Sequence, residues 1–131
     1  MEELYNLGIS EVTIECMLEM NPEIKEMTIN EIVQKEVILK EVNCSDIQVL
    51  NIISSNPMFL SRTNSDVIKL FNYLLNVGFE TLNILFDSNP YILNLDVFEI
   101  EDYINKRRNN GEQLENIIDD LDSNPYLFSE I

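Results

Sequence analysis

The chain of 131 residues has no histidine, only three glycines and four prolines, and two cysteines. Without histidine there is no imidazole base to activate a serine or cysteine nucleophile, and the commonest ligand of transition metals is missing. Cys16 and Cys44 lie 28 positions apart and lack the C-x-x-C spacing of a zinc site, so we expect two free, buried thiols rather than a disulfide. The sequence therefore predicts a chain without catalytic residues, cofactor or metal ion.

Long apolar runs are missing as well. The longest, such as residues 37–39 and 91–93, are far shorter than the ~18 apolar residues of a membrane-spanning helix. The amino terminus, MEELYNLG, lacks the basic start and apolar stretch of a secretory signal. With 45% hydrophobic residues, the chain is rich enough in apolar groups to build a core. We expect one soluble, cytoplasmic domain over residues 1–131.

Basic residues are scarce, since 8 Lys and Arg stand against 24 Asp and Glu for a net charge of −16. Acids outnumber bases by ten to three in residues 1–42 and by six to none in residues 111–131. A nucleic-acid groove needs clustered Lys and Arg, and the one cluster here is Lys106-Arg107-Arg108. We interpret this cluster as a basic helix end that complements the helix dipole, with a nucleic-acid contact as the alternative.

The sequence contains an internal repeat marked by Asn-Pro pairs. Every proline follows an asparagine, and the intervals between these pairs are 35, 33 and 35 residues, a period typical of helical arrays. The pairs are Asn21-Pro22, Asn56-Pro57, Asn89-Pro90 and Asn124-Pro125. Residues suited to a left-handed turn lie upstream of them, at Gly8, Asn43, Gly78 and Gly111. We divide the chain into units at about 1–42, 43–77, 78–110 and 111–131.

The apolar pattern between these positions is helical. The third and the seventh residue before each asparagine share one helix face. We expect the third residue before the asparagine to be buried in every unit: Leu18, Ile53, Phe86 and Leu121. Proline must end each short helix, and the preceding asparagine can cap a new turn. Longer helices are predicted over 28–41, from Asn64 or Ser65 to about 76, and over 96–108. The predicted fold is an all-α helical-repeat solenoid with three full units, each a short helix, an Asn-Pro turn and a long helix, plus a partial fourth.

The pattern Leu7-Gly8-Ile9-Ser10, followed by an apolar helix into Asn21-Pro22 and Ile24, resembles the repeat of the mitochondrial transcription termination factor family. Further copies run through residues 54–60, 75–78 and 88–93, so that the resemblance covers almost the whole chain. The resemblance implies a superhelical stack of three-helix units. It also implies a concave groove that, in the family, binds double-stranded DNA or RNA.

Two functions are compatible with these patterns. The first is a non-enzymatic interaction module that binds another protein, in one version as an acidic mimic of DNA that occupies a basic protein. The alternative is a nucleic-acid-binding module related to the termination factors, although the acidic balance predicts that the isolated chain does not bind nucleic acid. The apolar residues Tyr126, Leu127 and Phe128 follow the last Asn-Pro pair and are a candidate partner patch. We expect a monomer or a weak dimer favoured by salt.

Other patterns have structural interpretations. Asp120-Leu-Asp122-Ser-Asn124 begins like a calcium loop, but Pro125 replaces the required glycine and Ile131 stands at the twelfth position. The carboxyl groups of Glu99, Glu101 and Asp102 are typical of a solvated helix face. We interpret the tyrosines mostly as edges of the core: Tyr5, Tyr73, Tyr91, Tyr103 and Tyr126.

Overall fold

The computed structural model describes residues 2–131, which form eight α-helices and four short 3-10 helices and contain no β-strand. The α-helices are α1 (Glu2–Asn6), α2 (Glu11–Met20), α3 (Ile29–Glu41), α4 (Asp46–Ser55), α5 (Asn64–Val77), α6 (Leu82–Ser88), α7 (Val97–Asn109) and α8 (Leu114–Ser123). The 3-10 helices, which we call joints 1 to 4, are Pro22–Glu26, Pro57–Ser61, Pro90–Asn94 and Pro125–Glu130. The predicted all-α class is confirmed. None of the helices in this part of the chain combines the length and the apolar character that crossing a lipid bilayer requires.

Each Asn-Pro pair ends a short helix, as the sequence predicted. The asparagine N–H still donates to the carbonyl oxygen four residues back, as in Asn21 to Met17 at 2.8 Å. Proline then takes the first position of the joint, where a missing N–H removes no helical hydrogen bond. The asparagine is therefore the last residue that the short helix can reach.

The long helices begin at hydroxyl or carboxyl caps. The Thr28 hydroxyl accepts a hydrogen bond from the Glu31 N–H at 3.2 Å, and the Asp96 N–H donates to a Glu99 carboxyl oxygen at 3.0 Å. In α5 the helix begins at Asn64, one of the two predicted positions. Its cap is the preceding residue, Thr63.

All four predicted left-handed positions have positive φ: Gly8 (90°), Asn43 (72°), Gly78 (125°) and Gly111 (95°). After each one, the next N–H donates to the carbonyl oxygen five residues earlier, a closure typical of helix ends. In the first three turns this bond joins buried apolar residues, the pairs 4 and 9, 39 and 44, and 74 and 79. In the fourth it joins Arg107 and Glu112, whose side chains form an ion pair in place of the apolar contact.

Equivalent elements pack on one another in chain order. The short helices α2, α4 and α6 contact in succession, as do joints 1 to 4 and the long helices α3, α5 and α7. Helix α1 contacts α3 as α3 contacts α5, so α1 takes the place of the end of a long helix. The core is continuous through these layers and includes a ring pair, Phe71 and Phe86, with centroids 5.1 Å apart. The exact boundaries of the repeat units stay a prediction.

Two predictions about burial are wrong. Ile53, Phe86 and Leu121 are fully buried, but Leu18 is only half-buried, because within residues 2–131 no other short helix of the repeat precedes α2. Cys44 is a free, buried thiol as expected, whereas Cys16 is exposed. In the layer of α2 the adjacent Met17 is fully buried instead.

The side chain of Glu36 in α3 is an unusual buried carboxyl group. Its Oε2 atom is buried and has no hydrogen-bond partner in the described part of the chain. Burial raises the pKa of Glu36 to about 7, and the neighbouring carboxyl group of Glu3 acts in the same direction. Lys40 opposes this shift, and Asp46, which pairs with Lys40 at 2.9 Å, adds to it.

We expect the stability of the chain to fall as pH rises through neutrality. A folded-state pKa above the ordinary value of 4.5 gives stabilisation that is complete below about pH 4.5 and is lost as pH rises through about 7. Because some water still reaches this region, the free energy of unfolding should fall by only about 1 kcal/mol between about pH 5.5 and about pH 8. Glu36→Gln, which mimics the protonated acid, should remove this component.

Urea unfolding at several pH values measures the effect. Glu41→Gln is the matched control, since Glu41 is exposed at the end of the same helix and should leave the parent's pH profile unchanged. If Glu36→Gln and Glu41→Gln gave the same profile as the parent chain, Glu36 would not be the group that titrates.

Candidate functional site

The joint asparagines connect each joint to the next one. The Asn21 side-chain amide donates to the carbonyl oxygen of Pro57 at 2.9 Å and to the hydroxyl of Ser61 at 2.8 Å. Asn21 is only 1% exposed, so these bonds are shielded from water. Its Oδ1 atom accepts from the Glu23 N–H at 3.2 Å, so the residue also caps its own joint.

The same connection recurs twice. Asn56 donates to the carbonyl oxygen of Pro90 at 2.9 Å and to Asn94 at 3.0 Å. Asn89 donates to the carbonyl oxygen of Pro125 at 2.9 Å and to Ser129 at 3.1 Å. We call this series of three linked asparagines the asparagine ladder.

Sequence reasoning treated these asparagines as local caps and missed the ladder. A signal was present, since a hydroxyl or amide side chain stands five residues after each of the last three joint asparagines: Ser61, Asn94 and Ser129. Asn124 is different because it donates to its own helix, to the carbonyl oxygen of Asp120 at 3.2 Å and to the Asp120 carboxylate at 3.1 Å. The ladder therefore ends at joint 4.

The second residue after each joint asparagine points to solvent. Met58, Tyr91 and Tyr126 are 45%, 51% and 64% exposed, and Glu23 is exposed at the equivalent position. Because successive joints pack together, these side chains form a row, which we call the joint ridge. Tyr91 and Tyr126, like Tyr5, are therefore surface residues and not the core edges that the sequence suggested.

The structure separates the three residues of the candidate partner patch. Tyr126 lies on the joint ridge, Leu127 is half-buried against the core, and Phe128 is 1% exposed. The Phe128 ring packs on Phe79 with centroids 5.8 Å apart. Phe128 therefore cannot contribute to an exposed patch, because its ring is buried against Phe79, in the turn between α5 and α6.

A groove of about 440 Å³ lies between joints 1 and 2, beside α3 and the start of α5. Three of the side chains that line it are acidic and exposed: Glu23, Glu26 and Glu31. None of the three forms an ion pair with another described residue. We call this feature the acidic groove.

The two basic residues of the acidic groove are directed into the protein. Lys35 is 5% exposed and donates to Asn64 Oδ1 at 2.5 Å, and burial lowers its pKa. Arg62 donates to the carbonyl oxygens of Leu93 and Leu95 at 2.6 and 2.5 Å, and to the Asp96 carboxylate at 2.8 Å. Both cations serve contacts between repeats, so the open side of the groove is left to the carboxylates.

The cluster at residues 106–108 is divided among different contacts. Arg107 binds the carboxylates of Glu112 and Asp120 at 2.5 and 2.8 Å, and these hydrogen bonds raise its pKa. Lys106 pairs with Asp102 at 2.9 Å on the helix surface. Of the three, Arg108 is exposed and forms no ion pair with a described residue. The cluster lies in the last turn of α7, as the interpretation as a basic helix end requires. Arg107 also links α7 to the turn before α8 and to α8 itself through its two ion pairs.

The candidate calcium loop is also committed to internal contacts. One Asp120 carboxyl oxygen accepts from Arg107, and the other accepts from Asn124 at 3.1 Å. Within residues 2–131 there is no group of three or more His, Cys, Asp or Glu side chains that could hold a metal ion. The acidic groove and the joint ridge are the surface features that remain as candidate binding sites.

Comparison with known proteins gives one match. The sequence model of the mTERF family matches residues 1–119, from α1 into α8. No curated protein matches the chain, and no solved structure matches it.

Proposed function

This chain belongs to the mTERF family of helical-repeat proteins, and we propose that it is a binding module, not an enzyme, whose acidic groove docks a positively charged segment of another protein. The observation that carries the proposal is the charge arrangement of the groove. Three carboxylates face its open side, and its two cations are held by contacts between repeats. A DNA-mimic role is the narrower version, in which the partner is a protein that binds nucleic acid.

The groove suits a short basic segment. Its volume of about 440 Å³ is within the range of small-ligand sites, large enough for one or two long side chains of a partner. Lys and Arg side chains would gain carboxylate partners there without displacing an internal ion pair of the chain. A second groove, between joints 2 and 3, shares Ser61 and Arg62 with the acidic groove and is also lined by Met58 of the joint ridge. Met58 therefore offers apolar contact next to the acidic groove.

The charge of the whole chain also opposes the binding of nucleic-acid phosphates. Of the 8 basic residues, Lys35, Arg62 and Arg107 are held by internal hydrogen bonds. With 24 acids on the chain, few counterions would be released on binding a nucleic acid.

Nucleic-acid binding is the second candidate, and the family match over residues 1–119 favours it. Lys25, Lys69 and Arg108 are exposed and form no ion pair with other described residues, so they are the cations available to phosphates. This function would require a partner that supplies further positive charge. The cytoplasmic location stays a prediction.

Fluorescence anisotropy at about 150 mM salt separates the two functions. We expect a labelled peptide of about ten residues rich in Lys and Arg to bind with micromolar affinity, and a labelled double-stranded DNA or RNA not to bind. The double variant Glu23→Gln with Glu31→Gln should weaken the peptide about tenfold. The control, Glu101→Gln with Glu130→Gln, makes the same charge change at exposed sites outside the groove and should stay within about twofold.

Equal weakening by both double variants would mean that net charge, and not the acidic groove, attracts the peptide. Submicromolar binding of nucleic acid that weakens steeply with added salt would favour the second candidate over the first.

A further inference from the structure

The two ends of the asparagine ladder carry complementary groups. Asn124 donates to its own Asp120, whereas the three preceding joint asparagines donate to the proline of the next joint. At the other end, Pro22 is exposed, and no side chain among residues 2–131 donates to its carbonyl oxygen. We propose that the carboxyl-terminal end of one copy docks on the amino-terminal end of a second copy and continues the ladder from Asn124 of one to Pro22 of the other.

Half-buried leucines mark the same two ends. The third residue after the asparagine is fully buried in joints 1 to 3, at Ile24, Phe59 and Ile92, but the equivalent Leu127 is half-buried. The third residue before the asparagine is fully buried in α4, α6 and α8, but the equivalent Leu18 is half-buried. Within residues 2–131, neither leucine has the cover that a neighbouring repeat gives its counterparts. A second copy in ladder register supplies that cover to both.

The position of helix α1 is compatible with this docking of two copies. A long helix follows each of joints 1 to 3, and these helices pack in succession, α3 on α5 and α5 on α7. Helix α1 has the contact of such a helix, since it packs on α3, and it closes with the same hydrogen-bonded turn at Gly8. In the docked pair, α1 of the second copy therefore stands where a long helix after joint 4 would end. The interface repeats one that the chain already forms internally.

Electrostatic repulsion makes this association weak at low salt. Glu15 and Glu19 lie on α2 at one end, and Asp119 and Asp122 lie on α8 at the other. Added salt shortens the screening length from ~30 Å at 0.01 M to ~10 Å at 0.1 M and reduces this repulsion. Because the two contacting surfaces differ, the assembly is heterologous and does not close at two copies.

Sedimentation velocity over a concentration series, at about 50 mM and about 500 mM salt, tests the proposal. The parent chain should be monomeric at low salt. At high salt its mean mass should rise with concentration and pass that of a dimer. Leu18→Glu and Leu127→Glu should each stay monomeric, because each blocks one end. Tyr91→Glu adds the same charge on the joint ridge, away from both ends, and should behave like the parent.

The mixture of the two blocked variants is the decisive sample. Leu18→Glu retains a working carboxyl-terminal end and Leu127→Glu a working amino-terminal end, so together they should form a complex that stops at two copies. Asn124→Ala, a milder change, should weaken self-association about tenfold. Circular dichroism establishes that every variant is folded.

Three results would overturn the proposal: a parent chain that stays monomeric at every concentration in high salt, a parent assembly that stops at two copies, or folded blocked variants that do not associate when mixed. The inference does not depend on the acidic groove. Failure of the basic peptide to bind and failure of the copies to associate are therefore separate outcomes.

Discussion

Phe86→Ala should lower the free energy of unfolding by about 3–5 kcal/mol. Phe86 is fully buried in α6, and its ring stacks on Phe71 with centroids 5.1 Å apart. Removing the ring deletes apolar contact with the long helix α5 and leaves a cavity that the packed layers on either side cannot close easily. The loss is large because α6, at 7 residues, is the shortest of the four helices that end at an Asn-Pro pair and depends on tertiary contacts.

Urea unfolding followed by circular dichroism measures this change. Ile84→Ala is the matched control, since it removes an apolar side chain from the same helix at a position that is 56% exposed. Its effect should be below about 1 kcal/mol. Similar losses for the two variants would contradict the placement of Phe86 in the core.

Asn56→Ala should lower the free energy of unfolding by about 2–3 kcal/mol. Asn56 is 1% exposed and donates to Pro90 and Asn94, and its own Oδ1 accepts from Asn94 at 3.1 Å. Unlike Asn21 and Asn89, it makes no side-chain bond to its own joint. The loss therefore reports on the connection between joints 2 and 3 alone.

Asn51→Ala is the control for this prediction, because Asn51 is exposed on the same helix and should change stability by less than about 0.5 kcal/mol. Asn94→Ala should have a smaller effect than Asn56→Ala, since Asn94 is an exposed residue. The double variant then gives the coupling energy of the pair. A coupling near zero would mean that the ladder bonds add nothing to stability.

The local elements of this fold could be predicted from the sequence because their causes are local. Proline prevents a helix from continuing, and the positions at 8, 43, 78 and 111 require a left-handed backbone that glycine and asparagine adopt most easily. The helical spacing of apolar residues placed Ile53, Phe86 and Leu121 each on the apolar face of its own helix, and all three are fully buried. The family resemblance followed from the same periodic signals.

The candidate sites could not be predicted in this way, because they depend on which elements lie next to each other. The sequence gives the positions of Lys35 and Arg62 but not their contacts with neighbouring repeats. Because both side chains are held by those contacts, the groove between joints 1 and 2 is acidic. Periodicity also treats every repeat alike, and so it predicted the same burial for Leu18 as for its counterparts.

Helical period, turn positions and the order of elements were thus determined by the sequence alone, since each arises within a few residues. Tertiary structure decided the asparagine ladder, the exposure of Leu18 and Cys16, and the burial of Phe128. The physical reason is that hydrogen bonding and burial at a repeat are completed by its neighbours, about 35 residues away, and within residues 2–131 the first and last repeats have a neighbour on one side only.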